Sequence, residues 1–245
     1  MVGTVIAKVK GSSAGDDYTM PASDGASGTY LKTDGSGNLS FGAIATAGFV
    51  NMEVYTASGT WTKTDNDPTK IVVEVQGAGG GGARGNTAAS TMGAGGGGYA
   101  RKFLDVTNID TVTVVVGAYG AASTGEPTGA GSAGGLSSFI KATGSGSFTD
   151  IVGNGGAAGT NAGYGAGVAG GTGTGGDMSI QGGRGQNGGD GQKGGGAFLG
   201  IAGKTNEYTG SPNSNALGYG GGGGGGYNQH SGDGAPGIVI VWEYK

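Results

Sequence analysis

Residues 71–82 read IVVEVQGAGGGG, a strand-like run that passes directly into a run of glycine. In the first half, residues 71, 73 and 75 are apolar, and two of the three even-numbered residues are polar. Alternation with a period of two is typical of a β-strand that has one buried face. The two halves of this stretch represent the two kinds of sequence in the chain, which are short strand-like runs and glycine-rich segments.

The other strand predictions rest on the same alternation and on β-branched content. Residues 111–116 read TVTVVV, and residues 238–244 read IVIVWEY. The second run is nearly apolar on both faces, which favours a central place in a sheet. Shorter candidate strands are 50–56, 59–62, 100–106, 137–142 and 148–152. Because no long stretch has the 3.6-residue period of a helix, we expect an all-β fold with a short-stranded, antiparallel, sandwich-like β platform.

Glycine accounts for 65 of the 245 residues, against an average usage of about 7%. A collagen triple helix is excluded because the chain has only 5 prolines, and that structure needs abundant proline. An ordinary helical domain is disfavoured because each glycine in a helix interior costs about 1 kcal/mol relative to alanine. A disulfide scaffold is excluded because there is no cysteine.

The zone 153–234 consists mostly of glycine, and its glycines recur at every third position over long stretches. Three residues per turn is the period of the polyproline II helix. If 71–76 and 238–244 pair, this zone becomes an insertion that projects from the β platform. We therefore predict a polyglycine II helix bundle, in which bare backbones pack against one another; the alternative is a disordered linker. The glycines in register are 167, 170, 173, 176, 182, 185, 188, 191, 194, 200 and 203.

Charge and hydropathy limit the partners. The sequence pI of about 4.9 argues against a nucleic-acid binder, which would carry a basic patch. No apolar run approaches the roughly 20 residues of a membrane-spanning helix. Residues 1–10 lack the apolar stretch and cleavage site of a secretory signal. We therefore expect the chain to be made in a cytoplasm.

The motifs that could carry chemistry are weak. Residues 77–82 match G-x-G-x-x-G, but no helical stripe follows, as a dinucleotide site requires. The chain has a single histidine, His230, and no cysteine, so the usual zinc ligand sets cannot be built. The acidic pairs at 16–17 and 65–67 look like solvated turns, with calcium at one of them left open. We expect no catalytic residues, no metal site and no cofactor, and hence no enzyme.

Aromatic and amide side chains that interrupt the glycine runs are the candidate binding residues. Tyrosine and asparagine on Gly/Ser loops form adaptable recognition surfaces, as in antibody loops. Capping of the bundle ends is the alternative role for the tyrosines. The candidates are Tyr164, Phe198, Tyr208, Tyr219, Tyr227, Asn228, Gln229 and His230.

The ordered series of these segments resembles the glycine-rich domain of phage tail-fibre and receptor-binding proteins, over residues 49–245. The segments that carry the resemblance are 54–62, 71–82, 95–100, 112–117, 134–139 and 234–241. Residues 20–25 and 30–41 are similar to short modules near the start of phage tail-fibre proteins. Such a small segment cannot bury enough surface alone. Three copies could share a core from Tyr30, Leu31, Leu39, Phe41 and Ile44.

The resemblance implies a non-enzymatic fibre adhesin of the phage virion that binds a bacterial surface receptor, a polysaccharide or an outer-membrane protein. It implies a homotrimer that is attached to other virion proteins through residues 1–48, with specificity in the loops between glycine-rich segments. A structural fibre that decorates the head or neck of the virion is the main alternative. An ice-binding protein and a glycan-degrading enzyme are further alternatives, although no carboxylate pair supports the latter.

Overall fold

A computed structural model gives the fold of residues 8–9, 17–43, 48–63, 67–85, 91–125, 128–161, 167–187, 192–204, 215–227 and 231–245. The chain divides into two compact units, residues Met1–Ala47 and Gly48–Lys245. No helix occurs among the described residues. These residues therefore contain no helix long and apolar enough to cross a bilayer. The all-β prediction is confirmed.

Eighteen strands make up the described structure, and all pair antiparallel except the short pair β8–β17. In chain order they are β1 Lys8–Val9, β2 Tyr18–Thr19, β3 Thr29–Thr33, β4 Leu39–Ala43, β5 Phe49–Tyr55, β6 Gly59–Thr62, β7 Lys70–Gln76, β8 Arg84–Gly85, β9 Tyr99–Asp105, β10 Thr111–Val115, β11 Ser137–Thr143, β12 Ile151–Gly153, β13 Gly173–Thr174, β14 Met178–Ile180, β15 Gly200–Ile201, β16 Leu217–Gly218, β17 Gly226–Tyr227 and β18 Ile238–Tyr244.

The first unit contains two small hairpins, β1–β2 and β3–β4. The turn after β3 is built on Asp34, whose Oδ1 accepts hydrogen bonds from the backbone N–H groups of Ser36 and Asn38. The pKa of the Asp34 carboxyl lies below its ordinary value. The largest cause is the hydrogen bond from the Asn38 side chain, and the two N–H groups contribute less. Gly35 and Gly37 have positive φ values, which glycine adopts without strain. Residues 34–37 therefore form the turn between β3 and β4.

The second unit contains two five-stranded sheets. The first has the order β14-β9-β7-β18-β5, and the second has the order β13-β12-β11-β10-β6. Strand β18 pairs with β7 over its whole length and with β5 on its other side. The pairing of 71–76 with 238–244, which the sequence left as a condition, does occur. The predicted central place of the last strand is confirmed.

The hydrophobic core lies between the two sheets, as in a sandwich. Alternate residues of β7, namely Ile71, Val73 and Val75, are fully buried. Opposite them, the second sheet contributes the fully buried rings of Trp61 and Phe139, whose centroids lie 6.2 Å apart. The indole N–H of Trp61 donates to Glu243 Oε1 at 2.8 Å, which satisfies a carboxylate on the buried face of β18.

Glycine-rich segments continue eight of the sheet strands and pack together into a second layer. We call this assembly the glycine layer. Its segments are residues 77–83, 91–98, 117–123, 129–136, 153–161, 167–172, 181–187, 192–197, 200–204, 219–226 and 231–237. The layer therefore includes most of the described residues of the predicted zone 153–234, together with glycine runs that precede it in the chain. Strands β13 and β14 of that zone belong instead to the two sheets.

The segment 77–83, extended by Arg84, lies at the centre of the layer and bonds to six neighbours in rotation. Its N–H groups donate to 91–98 from residues 77, 80 and 83, to 129–136 from 78, 81 and 84, and to 231–237 from 79 and 82. Its carbonyls accept from 153–161 at 78 and 81, from 117–123 at 79 and 82, and from 219–226 at 80 and 83. The partner segment therefore repeats at every third residue along 77–84.

Close backbone contact explains the glycines of this segment. An added Cβ would lie 1.8 Å from the carbonyl oxygen of Gly221 if placed on Gly79, and 1.9 Å from that of Gly224 if placed on Gly82. Such distances are far inside van der Waals contact, and the obstructing atoms are backbone. The G-x-G-x-x-G pattern of residues 77–82 is thus a product of packing on all sides. The polyglycine II conformation itself stays a prediction, with which the repeat of three agrees.

Candidate functional site

The glycine layer has two ends, and they differ in composition. At one end the segments continue into the sheets. At the other, which we call the far end, Arg84 and Gly85 of β8 pair with β17, and isolated bridges join Arg84 to Gly129 and Met92 to Asn187. The topology therefore brings the start and finish of several connections to one place. These connections are 86–90, 126–127, 162–166, 188–191 and 228–230.

Polar side chains replace glycine at the far end. Thr91, Ser123, Gln192 and Ser231 are all buried. The hydroxyl of Ser231 accepts a hydrogen bond from the N–H of Ser123 at 2.9 Å. Nearby, Asp233 Oδ1 accepts from the N–H of Ala122 at 2.6 Å. At the far end, side-chain acceptors therefore add to the backbone hydrogen bonds that hold the segments together.

Three buried polar atoms of the far end have no hydrogen-bond partner among the residues that the structure describes. They are Thr91 Oγ1, Ser123 Oγ and Asn161 Oδ1. Thr91 and Asn161 border the connections 86–90 and 162–166 directly. Buried polar groups usually have a partner, so hydrogen-bonding capacity is concentrated at the base of the connections.

Five of the predicted site residues lie outside the described residues: Tyr164, Tyr208, Asn228, Gln229 and His230. Tyr164 and residues 228–230 belong to connections that leave the far end, whereas Tyr208 belongs to the connection between 204 and 215. Tyr227 is the last residue of β17, so its backbone lies at the far end.

Phe198 and Tyr219 lie at the opposite, sheet end of the layer. The ring of Phe198 packs on Tyr99 with a centroid distance of 4.2 Å. The N–H of Tyr219 donates to the carbonyl of Leu199 at 3.1 Å. Tyr219 and Tyr227, which flank one glycine run in sequence, are therefore at opposite ends of one segment. The sequence could not show which end of the layer each tyrosine occupies, because both border the same glycine run.

An exposed apolar hairpin beside Phe198 has no counterpart in the sequence predictions. Ile201 of β15 pairs with Leu217 of β16, and these side chains are 68% and 66% exposed. Isolated aliphatic residues in glycine-rich sequence give no signal of exposure, so this patch could be found only from the fold.

Two phenols of the second unit have pKa values raised above the ordinary value. The pKa of the Tyr99 phenol is raised above its ordinary value, mainly by burial and to a lesser extent by the nearby Glu74 carboxylate. Burial and the Glu53 carboxylate raise the pKa of Tyr55 in the same direction. Both phenols therefore stay neutral hydrogen-bond donors. Within the described ranges, no three histidine or acidic side chains converge in a way that could hold a metal ion.

Comparison with known families gives one match, which covers most of the second unit. A family model described as a glycine-rich domain matches residues 56–244. The match contains strands β6 to β18 and the whole glycine layer. No curated protein is significantly similar to the chain.

Proposed function

We propose, on the premise that the chain belongs to the glycine-rich domain family, that it is a non-enzymatic phage fibre adhesin that binds a bacterial surface receptor. The observation that carries this proposal is the far end of the glycine layer. There, a scaffold of backbone hydrogen bonds brings together the ends of five connections, of which 86–90, 126–127 and 228–230 contain no glycine.

The layer suits recognition because the backbone groups that hold it together are distinct from the side chains that would contact a receptor. Its cohesion comes from backbone N–H and C=O groups, which every residue of the segments except Pro236 supplies in full. Residues in the connections can therefore change without loss of the scaffold, as in other proteins that carry binding residues on loops. A host receptor varies between bacterial strains, and this arrangement accommodates such variation.

The side chains in the far-end connections fit a recognition surface. Tyr164 and the series Asn228, Gln229 and His230 supply one ring, two amides and one imidazole. Tyrosine offers a flat, amphipathic contact at low entropic cost, and amides adapt their hydrogen bonds. A surface polysaccharide or an outer-membrane protein presents matching hydroxyl and amide groups.

The first unit supports the assembly part of the proposal, a homotrimer attached to the virion through residues 1–48. Tyr30 and Leu31 on β3 are 49% and 42% exposed. A two-stranded hairpin is at best marginally stable alone. Copies of the unit that cover these side chains provide the missing core. We also propose that the segments of the glycine layer are polyglycine II helices packed in a bundle.

The test is binding of the full-length chain to cells of the bacterium that the phage infects. A fluorescently labelled chain carrying Tyr164→Ala with Asn228→Gly and His230→Gly should lose at least tenfold in cell-bound signal. The matched control is Tyr119→Ala, an exposed tyrosine away from the far end, which should bind like the unchanged chain. Unchanged adsorption of the far-end variant would refute the adhesin and favour a structural head or neck fibre.

A further inference from the structure

The outer face of the first sheet is an extended apolar surface. Its inner face belongs to the core, and the opposite side chains of the same strands point outward. The most exposed of these are Phe49, Met52, Val54, Phe103 and Met178. The partly exposed Val72, Ile240, Trp242 and Tyr244 lie between them. We call this surface the outer face.

Strand register shows that the outer face is continuous. Met52 pairs with Trp242, Trp242 with Val72, and Val72 with Phe103, so one row of apolar side chains crosses four strands. The ring of Phe49 contacts both Trp242 and Tyr244, with centroids 6.1 Å and 6.0 Å apart. The exposed apolar area is on the order of 500 Å², at the upper end for a monomeric protein.

The charged groups on and beside the outer face neutralise one another. Arg101 lies 3.9 Å from Glu74, and Lys102 lies 3.6 Å from Asp177. Lys70 is hydrogen-bonded to Asp105. A face with internally paired charges neither attracts a charged polymer nor repels an identical face.

A groove on the outer face is too small for a typical ligand. It has a volume of about 280 Å³ and is lined by Val72, Arg101, Lys102, Phe103, Asp177 and Met178. Small-molecule pockets usually enclose about 300–1,000 Å³ and bury most of their ligand. An open groove of this size is better matched to one large apolar side chain from a facing surface.

We propose that the outer face of each copy packs against the same face of its neighbours around the threefold axis of the proposed homotrimer. Its exposed apolar area, on the order of 500 Å², is a large part of the roughly 800 Å² per partner that a standard interface buries. Strand β5 begins two residues after the first unit ends. Copies joined through the first unit would thus hold their outer faces at high effective concentration. This inference rests on the assembly part of the proposed function and is independent of receptor binding.

Photo-cross-linking of the full-length chain tests the inference. Phe103→p-benzoylphenylalanine places a photoreactive ring on the outer face with little change in shape. Tyr119→p-benzoylphenylalanine is the matched control, because Tyr119 is 51% exposed and Phe103 is 56% exposed. The expected result is a product of twice the chain mass for Phe103 alone, with the cross-linked peptide derived from β5, β9 or β18. Adding Met52→Asp should reduce its yield several-fold.

Native mass, measured first by light scattering, separates this inference from the proposed function. An assembled chain whose Phe103 probe gives no inter-copy product, or no more than the Tyr119 probe, overturns the inference and leaves the assembly intact. A cross-link within one chain also overturns the inference, because it shows that another part of the same chain covers the outer face. A monomer overturns both. Receptor binding is measured separately and is unaffected by each outcome.

Discussion

Gly79 offers the most direct mutational test of the glycine layer, through the substitution Gly79→Ala. The new Cβ would lie 1.8 Å from Gly221 O, which must recede by about 1.2 Å to reach even the closest distance that real Cβ atoms show, 3.0 Å. The same oxygen accepts a hydrogen bond from the N–H of Ala235 at 2.8 Å. Its displacement therefore breaks that bond or strains the segment 219–226.

The magnitude follows from three contributions. A buried N–H without its acceptor costs about 1–3 kcal/mol, and overpacking costs about 1–3 kcal/mol. Alanine recovers about 0.4–1 kcal/mol by restricting the unfolded chain. We expect the free energy of unfolding to fall by about 3 kcal/mol, which lowers Tm by about 10 °C for a unit of this size.

Gly196→Ala is the matched control, because a Cβ at Gly196 meets nothing within 4 Å. This variant should be unchanged or more stable by up to about 1 kcal/mol. Both variants are compared by guanidinium denaturation and differential scanning calorimetry. Equal stability of the two would refute close backbone packing as the reason for glycine at Gly79.

Three further predictions concern the junctions and charges of the second unit. Gln76→Leu removes the amide that donates to the carbonyls of Gly97 and Gly98, so the free energy of unfolding should fall by about 2 kcal/mol; a denaturation midpoint equal to that of the unchanged chain would contradict this. Glu243→Leu leaves the buried indole N–H of Trp61 without the acceptor it now has and should cost about 1–3 kcal/mol, whereas Glu243→Gln keeps an acceptor and should cost less in the same assay. The hydrogen bond from Lys70 holds the pKa of Asp105 below its ordinary value, so its contribution to stability is complete above the unfolded value of about 3.9 and is lost as pH falls further. Thermal melts of Lys70→Met between pH 7 and pH 2 should therefore show a smaller loss on acidification, and an identical pH profile would contradict that assignment.

The strands could be predicted because side chains determine them. Alternation identified Ile71, Val73 and Val75 as core residues, and the structure buries all three. The buried place of Glu243 was not predictable, since its acceptor role depends on Trp61 from the other sheet. Such cross-sheet pairs leave no pattern within either strand.

The extent of the glycine layer was less predictable, for a physical reason. Triplet spacing appears in segments that have an exposed side, such as 181–187. There Gly182 and Gly185 are buried against the segment 91–98, whereas residues 183, 184 and 186 are exposed. The central segment meets neighbours on all sides, so almost every residue must be small and the triplet pattern disappears. Periodicity therefore revealed the outer segments and concealed the central one.

The candidate site was predictable in residue type but not in position. Tyr and Asn in glycine-rich sequence indicated loops, but only the topology places Tyr227 at the far end and Tyr219 at the sheet end. The direction in which each segment runs depends on long-range pairing, which local sequence does not record.

Hydrogen–deuterium exchange followed by NMR on the intact chain tests the glycine layer most directly. The account predicts strong protection of every amide from Gly77 to Arg84, because each N–H donates to a neighbouring segment. The amides of Met92 to Gly98 should be protected in the same unbroken way. Exchange of these two segments at the rates of an unstructured chain, while β7 and β18 stay protected, would contradict the central claim.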